Sequence, residues 1–150
     1  DFETATKNIL FSNIRSFDEQ ERMVDKAIKL AQSNVDIGML IVDSISMHYR
    51  LTSREEERGE RRSVAGQSTK LTNVAREKAL PVLVTSQVYT DVETGNYEAL
   101  GGHALHHNAK TIVRIDRAGP GRRRAVLMKH RSLPEGLVAD FQLTADGISC

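Results

Sequence analysis

One cysteine stands in this chain of 150 residues, and it is the last one, Cys150. A lone thiol excludes a disulfide framework and suits a reducing compartment. No apolar run reaches the roughly 18 residues of a membrane span, and no signal-peptide pattern opens the chain. A cytoplasmic protein with no membrane partner is therefore expected. No Gly-Lys pair occurs anywhere, so a phosphate loop of the G-x-x-x-x-G-K-[ST] type is absent. An excess of one charge is lacking too: 21 Lys and Arg against 20 Asp and Glu leave a formal net charge of +1. A chain-wide affinity for polyanions does not follow, but the arginines concentrate in segments 50–62 and 122–131, which can form local basic patches. The length suits one domain, 1–150, with a real core.

What is present begins with Gly38-Met39-Leu40-Ile41-Val42-Asp43-Ser44. An apolar run ending in an aspartate and a small hydroxyl residue is the pattern of a buried parallel strand. Such a strand delivers its carboxylate to the C-terminal tip, where open α/β sheets bind ligands. A carboxylate placed there can hold the magnesium that accompanies phosphates. The plainer alternative is a strand-end acid capping a neighbouring helix.

Around that strand the pattern alternates. Asn8–Ile14 reads as a first short strand, with Ile9, Leu10 and Phe11 consecutive. Ser16 with Glu19 forms a capping box for a helix to about Gln32, whose apolar positions Met23, Val24, Ala27, Ile28 and Ala31 fall at helical spacing. Met39–Asp43 is the second strand. Arg50–Arg62 is polar and charge-dense, and Gly59 argues against one unbroken helix there. Val64–Ala79 is an amphipathic helix stopped by Pro81, and Pro81–Val88 is the third strand. A short helix is expected near His103–Asn108. Strands at Thr111–Asp116 and Arg124–Lys129 flank a turn at 117–121, and a last strand, Ala139–Thr144, is closed by Asp146-Gly147. Alternation first and hairpins last imply a mainly parallel α/β sheet with antiparallel edge strands.

Three pieces read in order carry a resemblance: LIVDSISMHYR at 40–50, VLVTSQVY at 82–89 and LGGHALHHNAKTIVRID at 100–116. With MKHRSLPEG at 128–136 and the terminal FQLTADGI, they resemble the C-terminal two-thirds of a RecA-type recombinase core. Within that group the likeness is greatest to the archaeal RadB branch, short paralogues of RadA. The order and spacing of five motifs along essentially the whole chain make this far more specific than any one of them.

The resemblance implies a RecA-like P-loop NTPase core without its N-terminal Walker A portion, and cofactors ATP and Mg2+. Asp43 matches the Walker B aspartate, a magnesium ligand directly or through water, with Ser44 beside it. Gln87, at the tip of the third strand, is implied as the catalytic-site amide that couples nucleotide state to the DNA-binding loop after it. An amide can donate and accept at once; the plainer alternative is a polar residue that ends a strand. Relatives often carry asparagine where Ser86 stands.

Arg50, Arg54, Arg58, Arg61 and Arg62 fall where the family has its first DNA-binding loop, their guanidinium groups neutralising phosphates. The run Glu55-Glu56-Glu57 departs from that pattern and favours a solvated, salt-bridged helix surface. Residues 89–100 correspond to a second such loop, in which Tyr89 and Tyr97 can stack on bases. Gly101 and Gly102 open a helix whose amides can meet a phosphate, or simply make a turn. His103, His106 and His107 have helical spacing, but no Glu or Cys completes a metal site. Likeness instead places His103 near the DNA-facing loop. Lys129 and Arg131 alternate on one strand and so share a face. The family's matching cations, with Pro134 following, reach a neighbouring subunit's γ-phosphate, although RadA relatives have an aspartate at the first position. The alternative is a basic edge that discourages strand pairing.

The expected function is an ATP-binding DNA repair and homologous recombination protein that binds single- and double-stranded DNA and assists a RadA-type recombinase filament. Self-association is a further expectation. The family's phosphate loop and its water-polarising glutamate lie before the point where this chain begins. It is therefore expected to be a fragment, a DNA-dependent ATPase at most and inactive unaided. A non-catalytic interaction paralogue with a vestigial ATP site, or a signalling ATPase of the same superfold, are the alternatives.

Overall fold

The structure, a computed structural model, describes residues 2–48, 54–90, 97–99 and 102–150, with backbone alone for 54–62, 90, 97–99 and 102. The chain divides into two compact units, Asp1–Leu105 and His106–Cys150.

The first unit is built on a strand–helix–strand crossover. Strand β1 (Leu40–Val42) and strand β2 (Val82–Val84) pair in parallel, Leu40 opposite Val82 and Val42 opposite Val84. Helices α2 (Phe17–Ser33) and α3 (Arg54–Glu77) supply the rest of the core. A short helix α1 (Phe2–Lys7), which the sequence reading did not anticipate, opens the unit. Side-chain alternation divides the strands: Leu40, Val42, Val82 and Val84 pack against Val24 of α2, Val64 and Leu71 of α3, and Ile45. Ile41 and Leu83 lie on the opposite face and are exposed. A second cluster joins Ala31, Val74 and Leu80. Truncating a buried leucine such as Leu71 to alanine would cost about 2–5 kcal/mol.

Helix α2 starts at the N-cap Ser16, with Glu19 reaching back one residue past the cap. Ser16 Oγ accepts from the Glu19 amide at 3.2 Å, while Glu19 Oε2 accepts from the Arg15 amide at 2.9 Å. Buried positions 64, 67, 68, 71 and 74 mark the inward stripe of α3. The break expected at Gly59 is absent, and α3 runs unbroken from Arg54 to Glu77. One glycine costs a helix only about 1 kcal/mol, and the arginines and glutamates around it are good helix formers. The helix ends before Pro81 in a left-handed residue, Ala79 (φ 51°), with the Leu80 amide donating to the Ala75 carbonyl at 3.0 Å.

The strand expected at Asn8–Ile14 does not form. Ile9, Leu10 and Phe11 lie in irregular backbone, and Phe11 is 87% exposed. Apolar composition alone does not make a strand without a partner to complete its ladder, and none pairs with it among the described residues. The third expected strand is also shorter, ending at Val84, and β3 (Val88–Thr90) instead pairs antiparallel with β4 (Tyr97–Ala99). Helix α4 (Gly102–Asn108) follows.

The second unit is an antiparallel meander of β5 (Ile112–Gly119), β6 (Arg122–Lys129), β7 (Val138–Thr144) and β8 (Gly147–Ser149). The tight tip between β5 and β6 uses Gly119 (φ 134°) and Gly121 (φ 68°), conformations that side chains rarely adopt. The sheet's two faces differ in chemistry. Val113 opposite Leu127 and Ile115 opposite Ala125 make one face apolar. The other carries the ion pairs Arg114–Asp116 (2.9 Å) and Arg124–Asp140 (2.7 Å). Strand β8 was not foreseen.

Candidate nucleotide and metal site at the strand tips

Because β1 and β2 are parallel, both end at the same edge, and their tips bring together residues some forty positions apart. Thr85 ties the tips together through its backbone. Its amide donates to the Val42 carbonyl and its carbonyl accepts from the Ile45 amide, both at 3.0 Å. The Thr85 hydroxyl donates to Oδ1 of Asp43. Asp43 is exposed, so a carboxylate with one oxygen fixed can still coordinate a cation through the other. The Asp43–Ser44 peptide is cis, and the chain then turns, with Ser44 half-buried and accepting from the Met47 amide at 3.2 Å.

Beneath the turn lies Ser46, almost wholly buried. Its Oγ accepts from the Gln87 amide at 2.9 Å and from Ser86 Oγ at 3.3 Å. Gln87 thus has its backbone anchored to the loop that follows Asp43, while its side chain is exposed. The sequence places Asp43, Ser44 and Gln87 at the strand tips; in the structure Asp43 and Ser44 follow β1 directly, and Gln87 lies three residues beyond β2, joined to the turn after Asp43 by its backbone amide. Thr85, a hydroxyl residue one step beyond the end of β2, and Ser46, four beyond the end of β1, were not foreseen.

Magnesium keeps several waters and takes one or two carboxylates plus substrate phosphates, so Asp43 beside the Thr85 hydroxyl fits that ion. Among the described residues no group of three or more His, Cys, Asp or Glu could hold a metal by itself. The described residues fit the metal end of a nucleotide.

The remaining candidates separate. Arg50 and Gly101 lie outside the described residues. Arg54, Arg58, Arg61 and Arg62 belong to the first turns of α3, on a helix and not in a loop. Tyr89 is exposed on β3, opposite Glu98, so this part of the expected second loop is a hairpin strand. Gly102 begins α4, and His103 is exposed on it.

Lys129 and Arg131 do not share a strand face, contrary to their alternation in sequence. Strand β6 ends at Lys129. The Lys129 ammonium donates to the carbonyls of His106 (2.8 Å) and His107 (3.3 Å) in the last turn of α4. Helix ends leave carbonyls unpaired and carry partial negative charge, so a cation settles there. Beyond it the chain turns, as Nδ1 of His130 accepts from the amides of Ser132 (3.1 Å) and Leu133 (3.0 Å). Arg131 and Pro134 are exposed in and after this turn.

Parallel strands ending in an acid, a hydroxyl and an amide define a RecA-like α/β core, and a solved structure agrees. The crystal structure of the RadB recombinase matches with a TM-score of 0.69 and 34% identity, over 89% of this chain and 59% of that one. The chain belongs to the Rad51 family, whose model matches residues 1–150. Similar proteins are described as DNA repair and recombination protein RadB. That of Halobacterium salinarum is 41% identical over 99% of this chain and 63% of its own length. That of Thermoplasma acidophilum is 39% identical over 91% and 60%, and that of Methanococcoides burtonii 37% over 95% and 63%. The chain therefore spans about three-fifths of the length of these relatives.

Proposed function

We propose that this sequence serves an ATP-binding DNA repair and homologous recombination protein, one that binds DNA and assists or regulates a RadA-type recombinase filament. The observation that carries the reading is the strand-tip cluster: Asp43 oriented by Thr85, with Gln87 anchored through Ser46 to the same loop. A magnesium ion, when bound, would neutralise phosphate charge at this edge. Asp43 would hold that ion, with Thr85 fixing the carboxylate's orientation and Gln87 anchored by its backbone to the adjoining turn. DNA contact falls to arginines 54, 58, 61 and 62 at the start of α3 and to the hairpin bearing Tyr89, through phosphate neutralisation and stacking. The RadA-type partner is supported by family likeness.

The engagement of Lys129 by α4 favours a second reading, an interaction paralogue that lacks one γ-phosphate contact across subunits. One experiment separates the two. The full-length protein is titrated with single-stranded DNA at several salt concentrations, with and without magnesium and a non-hydrolysable ATP analogue. The first reading expects steep salt dependence and a nucleotide effect on affinity. DNA binding indifferent to nucleotide, or none at all, favours the second.

A further inference from the structure

Two glutamines that no part of the site uses are among the most buried side chains of the first unit: Gln20 on α2 is 2% exposed and Gln67 on α3 is 0%. Gln20 Nε2 donates to the Ile45 carbonyl at 2.9 Å and to Gln67 Oε1 at 3.1 Å. Gln67 Nε2 donates to Ser63 Oγ at 3.3 Å. The two ends of this chain of bonds lie beside the two candidate regions. Ile45 is two residues beyond Asp43, and its amide is held by Thr85, the residue whose hydroxyl orients that carboxylate. Ser63 follows Arg62 directly, one turn before Gln67 on the helix that begins with the arginines.

The choice of residues is informative because leucine at both positions would fill a comparable volume with no side-chain amides to satisfy, leaving the Ile45 carbonyl as the one backbone group to lose its donor. What the amides add is direction. An apolar contact tolerates sliding and rotation, whereas a satisfied buried network fixes one register between its members. Here it fixes α3 against the backbone of the turn after Asp43.

We infer that Gln20 and Gln67 are positioning residues that transmit the state of the Asp43 turn to the arginine-bearing start of α3. The inference rests on the nucleotide- and DNA-binding reading above. A cation or phosphate that shifts the Asp43–Ile45 backbone moves the carbonyl that Gln20 grips. Gln20 carries the shift to Gln67, and so to the helix that presents the DNA contacts. Reciprocally, DNA held by α3 alters nucleotide affinity by the same factor.

The test uses Gln20→Leu, Gln67→Leu and the double variant in the full-length protein. Three quantities are read: the unfolding midpoint, the affinity for a fluorescent ATP analogue with magnesium, and DNA affinity with and without that nucleotide. Each single variant should lower the midpoint, because it strands one buried amide, and the double variant should recover the part due to the stranded amide, though not the part due to the Ile45 carbonyl. A purely structural role would restore coupling along with stability. The inference instead expects the double variant to bind nucleotide and DNA each within about threefold of wild type while the nucleotide effect on DNA affinity falls to about one, the limit of zero coupling. A double variant that keeps the wild-type nucleotide effect overturns the inference alone. A wild-type protein with no nucleotide effect overturns it together with the reading beneath it.

Discussion

The backbone amide of Gln87 donates to the buried hydroxyl of Ser46 at 2.9 Å, tying the segment after β2 to the turn after Asp43. This one bond sets where the Gln87 side chain starts its path into solvent. Ser46→Ala should therefore remove the acceptor of a part-buried donor, at a cost of about 0.5–1.5 kcal/mol. Denaturant unfolding of wild type and variant checks the value. A change below about 0.5 kcal/mol, the range of ordinary surface substitutions, would mean that the hydroxyl is dispensable.

Lys129 and Arg131, so alike in sequence, should behave differently. Lys129→Met removes the cation from the last turn of α4 and should cost about 0.3–1 kcal/mol, the range for a charge at a helix end. Arg131→Ala, at an exposed turn position, should fall within about 0.5 kcal/mol of wild type. Thermal unfolding distinguishes the two, and equal effects would remove the capping role of Lys129.

The meander should show a small loss of stability in acid. Its hydrogen bond and charge contact with Arg124 hold Asp140 below the ordinary carboxylate value of 3.8. A depressed folded pKa means stability present above the unfolded value and lost as pH falls through the folded one. The pair thus contributes nothing variable between pH 5 and 8 and weakens only in strong acid. Asp140→Asn should flatten the acid limb of the stability profile and leave its neutral part parallel to wild type. A variant curve that diverges near neutral pH would contradict this assignment.

Ala79 occupies a left-handed position that glycine takes without strain. Ala79→Gly should stabilise the protein by about 0.5–1 kcal/mol, the steric relief exceeding the added chain entropy. A lower unfolding midpoint in the variant would show that the strain is not there.

Much of this was legible in the chain, for reasons that can be named. The helix start at Ser16 and the apolar run of the strand that ends before Asp43 are local patterns with one dominant physical solution. The failures have physical reasons as well. Ile9–Phe11 has strand composition, but a strand exists only with a partner, and partnering is not written in a seven-residue window. Gly59 reads as a break, yet the packing of Val64, Leu71 and Val74 farther along fixes the helix, and one weak position is carried with it. Lys129 shows a third limit. Its alternation with Arg131 was real in sequence, but the chain turns at His130, and only the fold reveals the open carbonyls of α4. The Gln20–Gln67 pair spans 47 positions and leaves no periodic trace.

The central claim is that Asp43 holds the magnesium of a bound nucleotide. Calorimetric titration of a non-hydrolysable ATP analogue into the full-length protein, with magnesium and with it chelated, measures this for wild type and Asp43→Asn. Asparagine keeps the shape and can still accept from Thr85, so the fold should persist with an unfolding midpoint close to wild type. The account predicts that magnesium strengthens wild-type binding at least tenfold, about 1.4 kcal/mol, and that the variant loses this gain while keeping its magnesium-free affinity. A variant that responds to magnesium as the wild type does would contradict it.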